Sequence, residues 1–223
     1  MYILCLLLIA AFSYVLGGVN GAIITARLAY KADIREYGSG NPGLTNFYRN
    51  FGKNAVIFVI LIDVLKTALP VLLGGWLLAR LAEPGAERTA ALTGRTLAGL
   101  FAMLGHAYPP LYQFRGGKTL LAGGTLIWFV DWRVGILTWG LFILIVLLTR
   151  YVSLGGVIAG AVYPFGMFLF GNTGWPLFFS AMGGALLIWR HKDNLKRLVR
   201  GEERKFSFKA VRQKNENEDE AKR

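Results

Sequence analysis

The sequence predicts an all-α integral membrane protein of about seven transmembrane helices, with the N-terminus outside, the C-terminus cytoplasmic, and short glycine-rich cytoplasmic loops. Three observations predict it. Apolar residues make up 54% of the 223-residue chain and charged residues only 17%, with a mean hydropathy of +0.45, which is membrane rather than soluble composition. The apolar residues fall in long unbroken runs instead of short amphipathic pieces, so no separate soluble domain fits. Finally, the connections between runs alternate between rich and poor in Lys and Arg, as they do when cations collect on one side of a membrane.

Taken in order, the runs cover residues 2–30, 55–81, 89–104, 120–130, 134–148, 155–170 and 175–189. The first two reach or exceed the ~20 residues that cross a ~30 Å hydrocarbon core. Several later runs are shorter and must tilt, draw on flanking residues or dip only partway, which leaves five or six spans open as a count. The first run carries no basic residue before its apolar stretch, is too long for a signal core, and has its first flanking cations, Arg27 and Lys31, on the far side. It is therefore expected to stay as a span rather than be cleaved.

The loops set the orientation. Lys31, Arg35, Arg49 and Lys53 fill the first connection, Arg115 and Lys118 the third, Arg150 the fifth, and Arg190, Lys192, Lys196, Arg197 and Arg200 open the tail. These belong inside. The alternate connections are mixed or nearly neutral, and belong outside. The location implied is the cytoplasmic membrane of a bacterium, crossed several times, with the functional face toward the cytoplasm.

The formal net charge of +12 does not point to nucleic acid, because much of it sits beside membrane segments and in the tail. Anionic lipid headgroups and phosphorylated substrates are the expected partners. Residues 209–223 are polar, mixed in charge and poor in apolar side chains, and read as a disordered charged cytoplasmic tail. Cys5 is the single cysteine; lying in an apolar run, it reads as a packing residue.

Chemistry is expected where glycine and polar residues interrupt a greasy chain, and all such stretches lie in loops assigned to the cytoplasm. The first is Gly38, Ser39, Gly40, Asn41, Pro42, Gly43, Leu44, Thr45 and Asn46, followed by Arg49 and Lys53. Its glycines let backbone amides approach an anion, and its polar side chains add donors, so it reads as a phosphate or oxyanion cradle. The ending required of a nucleotide-triphosphate P-loop is missing. A tight polar turn between spans fits the composition equally well.

The second stretch is Gly105, His106, Ala107, Tyr108, Pro109 and Pro110, then Phe114, Arg115, Gly116, Gly117 and Lys118. Two glycines between two cations allow amides and charges to converge on one phosphate, Arg as a fork and Lys as a point charge. Interfacial anchoring of a helix end is the alternative. His106 has no partner at metal-ligand spacing, so no metal site is expected. The third stretch is Thr149, Arg150, Tyr151, Val152 and Ser153, joined by His191, Asn194 and Arg197 of the tail, whose spacing places them on one helix face. Within the second run, Asp63 and Lys66 lie three apart and are expected to pair, fixing helix packing beside the site.

In order and spacing, these motifs resemble the bacterial acyl-phosphate-dependent glycerol-3-phosphate acyltransferases. The resemblance runs from Tyr14 to about Phe206 and is carried by GSGNPGLTN with Arg49, Gly52 and Lys53, by GHAYP with FRGGK, by TRYVSLG, and by WRHKDNLKRLVRGEERKF. It implies a transmembrane acyltransferase domain over residues 1–208 that moves a fatty acyl group from acyl phosphate to the 1-hydroxyl of glycerol 3-phosphate. The products are lysophosphatidate and phosphate, the first step of phospholipid synthesis. No metal or other cofactor is implied, and a contact with the enzyme supplying acyl phosphate is compatible. The resemblance also implies catalytic roles for Ser39, Asn41, His106 and Lys118. Substrate binding falls to Gly38, Gly40, Gly43, Thr45, Asn46, Arg49, Arg115, Gly116, Gly117, Ser153, His191 and Asn194.

The chain departs from the family pattern at several places. Thr119-Leu120-Leu121-Ala122 stands where Gly-Val-Ala-Thr usually follows FRGGK; Gly18 and Asn20 replace a serine and a proline, and Pro42 and Leu44 an isoleucine and an alanine. At Thr119 a β-carbon is placed where the backbone is expected to need positive φ or close substrate approach. A diverged paralogue that binds a lipid phosphate without turnover is therefore a second reading. A small-anion transporter is a third, disfavoured because the glycine-rich stretches lie on one side and no inverted repeat is visible.

Overall fold

A computed structural model describes residues 1–206, and the expected tail at 209–223 lies outside them. The described chain forms α1 (Tyr2–Gly17), α2 (Gly21–Tyr30), α3 (Leu44–Phe51), α4 (Val56–Arg80), α5 (Glu87–Ala107), α6 (Leu120–Val130), α7 (Trp132–Thr149), α8 (Val152–Leu169), α9 (Gly174–Arg190) and α10 (Lys192–Val199), with short 3-10 turns at Ile34–Glu36 and Pro110–Tyr112. No strand is present among these residues.

Four stretches are long and apolar enough to cross a membrane: Tyr2–Tyr30, Val56–Arg80, Trp132–Thr149 and Val152–Leu169. Between them pack α5, α6 and α9, which are shorter or less apolar. The outer faces of the long helices carry exposed Leu4, Leu7, Leu8 and Phe12 on α1, Leu65, Leu69 and Trp76 on α4, and Phe165 and Phe168 on α8. An apolar exterior of this kind suits hydrocarbon, where only groups already hydrogen-bonded along the helix meet lipid.

Small residues set the approach of the helices. A β-carbon on Gly74 would stand 2.9 Å from the Gly94 carbonyl oxygen, and one on Gly160 3.0 Å from that of Gly184. Close contact of α4 with α5, and of α8 with α9, therefore depends on missing side chains, as is usual where lipid supplies no hydrophobic drive. The interior core joins Val71 and Leu78 of α4, Leu97 and Met103 of α5, Leu126 of α6, and Tyr163 and Met167 of α8.

The first run is broken between α1 and α2. Asn20 has extended backbone, and its side chain accepts from the Ile23 amide, capping α2. Its Nδ2 also donates to the Pro42 carbonyl at 3.1 Å. Hydropathy conceals the break because the residues on both sides are apolar, yet this is where the first glycine-rich loop is tied to the bundle. A second core, of Ile23, Ile34, Phe47 and Val59, holds α3 beneath that loop.

Candidate active site

The first loop is shaped by Asn46. Its Oδ1 accepts from the Ser39 amide at 3.1 Å, and its Nδ2 donates to the Tyr37 carbonyl at 2.9 Å. Gly38 and Gly40 have φ of +61° and +69°. A β-carbon at Gly38 would lie 2.5 Å from both Asn46 Oδ1 and Asn50 Nδ2, so side-chain bulk and left-handed backbone both exclude other residues there. Upstream, Asp33 is gripped by Arg35 at 2.7 Å and Arg27 at 3.0 Å. The hydrogen bond from Arg35, more than any other contact, holds the Asp33 carboxyl well below the usual carboxylate range. A cluster of ion pairs thus anchors a loop whose Ser39 stays exposed.

The second stretch folds against α5 and α9. The Gly117 amide donates to the His106 carbonyl at 3.0 Å, and Arg190 donates to the carbonyls of Gly116 at 2.9 Å and Gly117 at 3.1 Å. With those carbonyls turned to Arg190, the loop is fixed from behind and Lys118 reaches forward to Asn194 Oδ1. Burial, helped by Arg197 and Arg190 and opposed by Glu203 and Asp193, lowers the Lys118 ammonium to about 8.

Ser153 at the start of α8 and the α9–α10 corner complete the group. Glu203 collects Ser153 Oγ at 2.9 Å, Asn194 Nδ2 at 2.7 Å and Arg197 Nε at 2.8 Å. Burial pushes the Glu203 carboxyl up, but the hydrogen bonds from Asn194, Arg197 and Ser153 outweigh it and hold it below its ordinary range. Arg49 reaches the Arg204 carbonyl at 3.2 Å, the Phe206 amide donates to Arg150 O at 2.7 Å, and Tyr48 stacks on Phe206. Residues 203–206 therefore lie against the donors supplied by α3, α8 and α10.

The two histidines are held in opposite ways. His191 Nδ1 faces the Leu187 carbonyl at 2.8 Å, which requires the proton on Nδ1 and leaves Nε2 as an acceptor. Burial keeps His191 neutral, its pKa lowered to about 4. His106 Nδ1 instead lies 2.7 Å from Lys66 Nζ, and Lys66 is paired with Asp63 at 2.7 Å. The expected pair therefore forms, and also reaches a site histidine.

These residues enclose a cavity of about 600 Å³. Of the expected site residues, Ser39, Asn41, Gly43, Thr45, Asn46, Arg49, His106, Lys118, Ser153, His191 and Asn194 line it. Gly38 and Gly40 shape the turn behind it, Gly116 and Gly117 the backbone under Lys118, and Arg115 is exposed outside the group. Arg197 and Glu203 also line the wall, as do apolar Leu120, Leu121, Trp139, Phe142 and Val146. The lining thus combines cations and hydrogen-bond donors with apolar side chains, the composition expected for an anionic headgroup on an acyl chain.

Thr119 stands between Lys118 and Leu120 in this lining. It lines the cavity, is fully buried, has φ +61° and ψ 4° without capping α6 through its side chain, and its Oγ1 has no hydrogen-bond partner. Left-handed backbone at a residue with a β-carbon costs about 1–2 kcal/mol, and an unpaired buried hydroxyl about 1–3 kcal/mol more. The positive φ foreseen from the sequence is present.

The family described as glycerol-3-phosphate acyltransferase matches residues 7–201. The glycerol-3-phosphate acyltransferase of Prochlorococcus marinus (strain NATL1A) is 37% identical over 201 residues, covering 88% of this chain and 96% of that protein. That of Thermoanaerobacter pseudethanolicus is 33% identical over 202 residues, covering 91% and 96%. Among solved structures, PlsY, an integral membrane glycerol 3-phosphate acyltransferase in its glycerol 3-phosphate form, superposes with a TM-score of 0.80 at 31% identity, covering 92% of this chain and 98% of that one. Its lysophosphatidic acid form gives 0.77 at the same identity. A family match over residues 7–201, a matching fold and near-complete coverage in both directions lead to one conclusion: the chain belongs to the glycerol-3-phosphate acyltransferase family of integral membrane enzymes.

Proposed function

We propose that this protein transfers a fatty acyl group from acyl phosphate to the 1-hydroxyl of glycerol 3-phosphate at the cavity between α3, α6, α8 and α10, on the cytoplasmic side of a bacterial membrane. The observation that carries this reading is the presence, in the lining of one cavity, of Arg49, Lys118 and Arg197 together with apolar Leu120, Trp139 and Phe142. The glycine-rich loop with Ser39 and Asn41 receives one phosphate. Lys118, Arg49, Ser153 and Asn194 receive the other.

In the reaction the acceptor hydroxyl oxygen bonds to the acyl carbonyl carbon, the carbonyl–phosphate C–O bond breaks, and inorganic phosphate leaves. Acyl phosphate is already activated, so orientation and charge stabilisation supply most of the rate. The hydroxyl proton goes to a phosphate oxygen or to His191 Nε2, whose lone pair is free in the tautomer set by Leu187. The cation-rich loops support the cytoplasmic orientation, and an enzyme that makes acyl phosphate is the natural partner on that side.

The test is phosphate release by the purified protein in lipid nanodiscs given palmitoyl phosphate, with and without glycerol 3-phosphate. Acceptor-dependent release matched by lysophosphatidate supports the reading. No such release from folded protein favours a non-catalytic lipid-phosphate binder.

A further inference from the structure

We propose that the Thr119 hydroxyl is a substrate contact, donating a hydrogen bond to a phosphoryl oxygen at the N-terminal end of α6; this rests on the acyltransferase reading above. Among the described residues Thr119 Oγ1 has no partner, and the side chain makes no cap on α6. The Thr119 carbonyl accepts from the Gly123 amide at 2.8 Å, so the amides of residues 120–122 begin the helix without intrahelical acceptors. That end carries partial positive charge and favours anions.

The flanking Lys118, Leu120 and Leu121 line the same cavity as Thr119. An orphan donor next to an ammonium and a helix N-terminus calls for a ligand rich in acceptor oxygens. Strain retained at a site wall points to a role in the bound state. Thr119 has no accessible surface even toward the cavity, so the contact requires a rotation about χ1 that turns the hydroxyl to the ligand. Acyl phosphate and glycerol 3-phosphate both offer the required phosphoryl oxygen.

Thr119→Ser, Thr119→Val and Thr119→Gly in nanodiscs test this, with each substrate varied in turn. Serine keeps the hydroxyl and is expected to hold both KM values within about twofold, whereas valine and glycine raise KM about tenfold for the substrate whose phosphate is contacted. The substrate affected names the source of the phosphate. Unchanged KM values in Thr119→Val and Thr119→Gly overturn the proposal and leave a packing residue or one satisfied by a buried water. If Thr119→Val does not fold, the serine and glycine variants decide. If the parent protein shows no acceptor-dependent turnover, the acyltransferase reading fails on its own. Equilibrium binding of glycerol 3-phosphate and of a non-hydrolysable palmitoyl phosphonate then judges the contact: about tenfold weaker binding of either by the valine or glycine variant retains it, and equal binding overturns it.

Discussion

Lys66 Nζ lies 2.7 Å from His106 Nδ1 while also bonded to Asp63 and to the Val19 carbonyl at 2.5 Å. An ammonium has only donors, so Nδ1 accepts and the ring proton sits on Nε2. That nitrogen faces the Gly117 backbone, where a β-carbon would collide with it. His106 therefore offers a donor to the glycine loop and cavity, whereas His191 offers an acceptor. Nitrogen-15 NMR of histidine-labelled protein near neutral pH is expected to show Nε2–H for His106 and Nδ1–H for His191. A shared tautomer contradicts this division.

The same triad predicts a non-additive pair. Lys66→Met strands the buried Asp63 carboxylate and is expected to cost about 3–5 kcal/mol, whereas Lys66→Met combined with Asp63→Asn costs less than the single change. Denaturant or thermal unfolding in detergent measures both, and strict additivity would sink the argument.

Lys118 titrates near the working range. Its folded-state pKa is lowered to about 8 from an ordinary 10.5, so the charge is present below about pH 8 and lost as pH rises through it. Affinity for phosphate substrates is expected to fall above that pH. Between about 8 and 10.5 the unfolded chain holds more protons at this residue than the folded one, so its contribution to stability rises with pH. Lys118→Arg removes the alkaline limb of kcat/KM because guanidinium does not titrate there. A limb that persists in the variant assigns it elsewhere.

In the proposed reaction, Trp139 is expected to gauge the acyl chain. Its Nε1 donates to the Gly124 carbonyl at 3.0 Å, and a β-carbon on Gly124 would press to 2.6 Å of the indole. The ring is thus held against α6 at Gly124. Trp139→Ala is expected to shift the kcat/KM ratio several-fold toward longer acyl phosphates, with KM for glycerol 3-phosphate unchanged. Competition between acyl phosphates of different length reads this out, and an unchanged ratio refutes it.

Much of the fold was legible in the sequence because hydropathy and span length are local properties. The expected run at 120–130 has the same bounds as α6, since Lys118 and Asp131 bracket it. The run at 134–148 missed the start of α7 by two residues: Asp131 accepts from the Arg133 amide and caps the helix, a signal that apolarity does not register. The break at Asn20 was hidden for the same reason. Within the site, glycine-rich motifs marked the cavity walls, and the expected spacing of His191, Asn194 and Arg197 brings those residues to it. Glu203 has no role assigned from the sequence, because nothing local distinguishes it among the charges of GEERK, and only the fold brings it to Ser153. Gln113 and Phe114, both at positive φ, turn the chain so that Arg115 stays exposed, while Arg190 holds the glycine carbonyls from behind.

The most direct test of the cavity as the acyl-transfer site is an experimental structure of this protein with glycerol 3-phosphate bound. The phosphate is expected within hydrogen-bonding distance of Lys118 and Ser153, with the 1-hydroxyl directed toward the apolar wall. A phosphate held by Arg115 outside the cavity, with Lys118 still bonded to Asn194 alone, would contradict it.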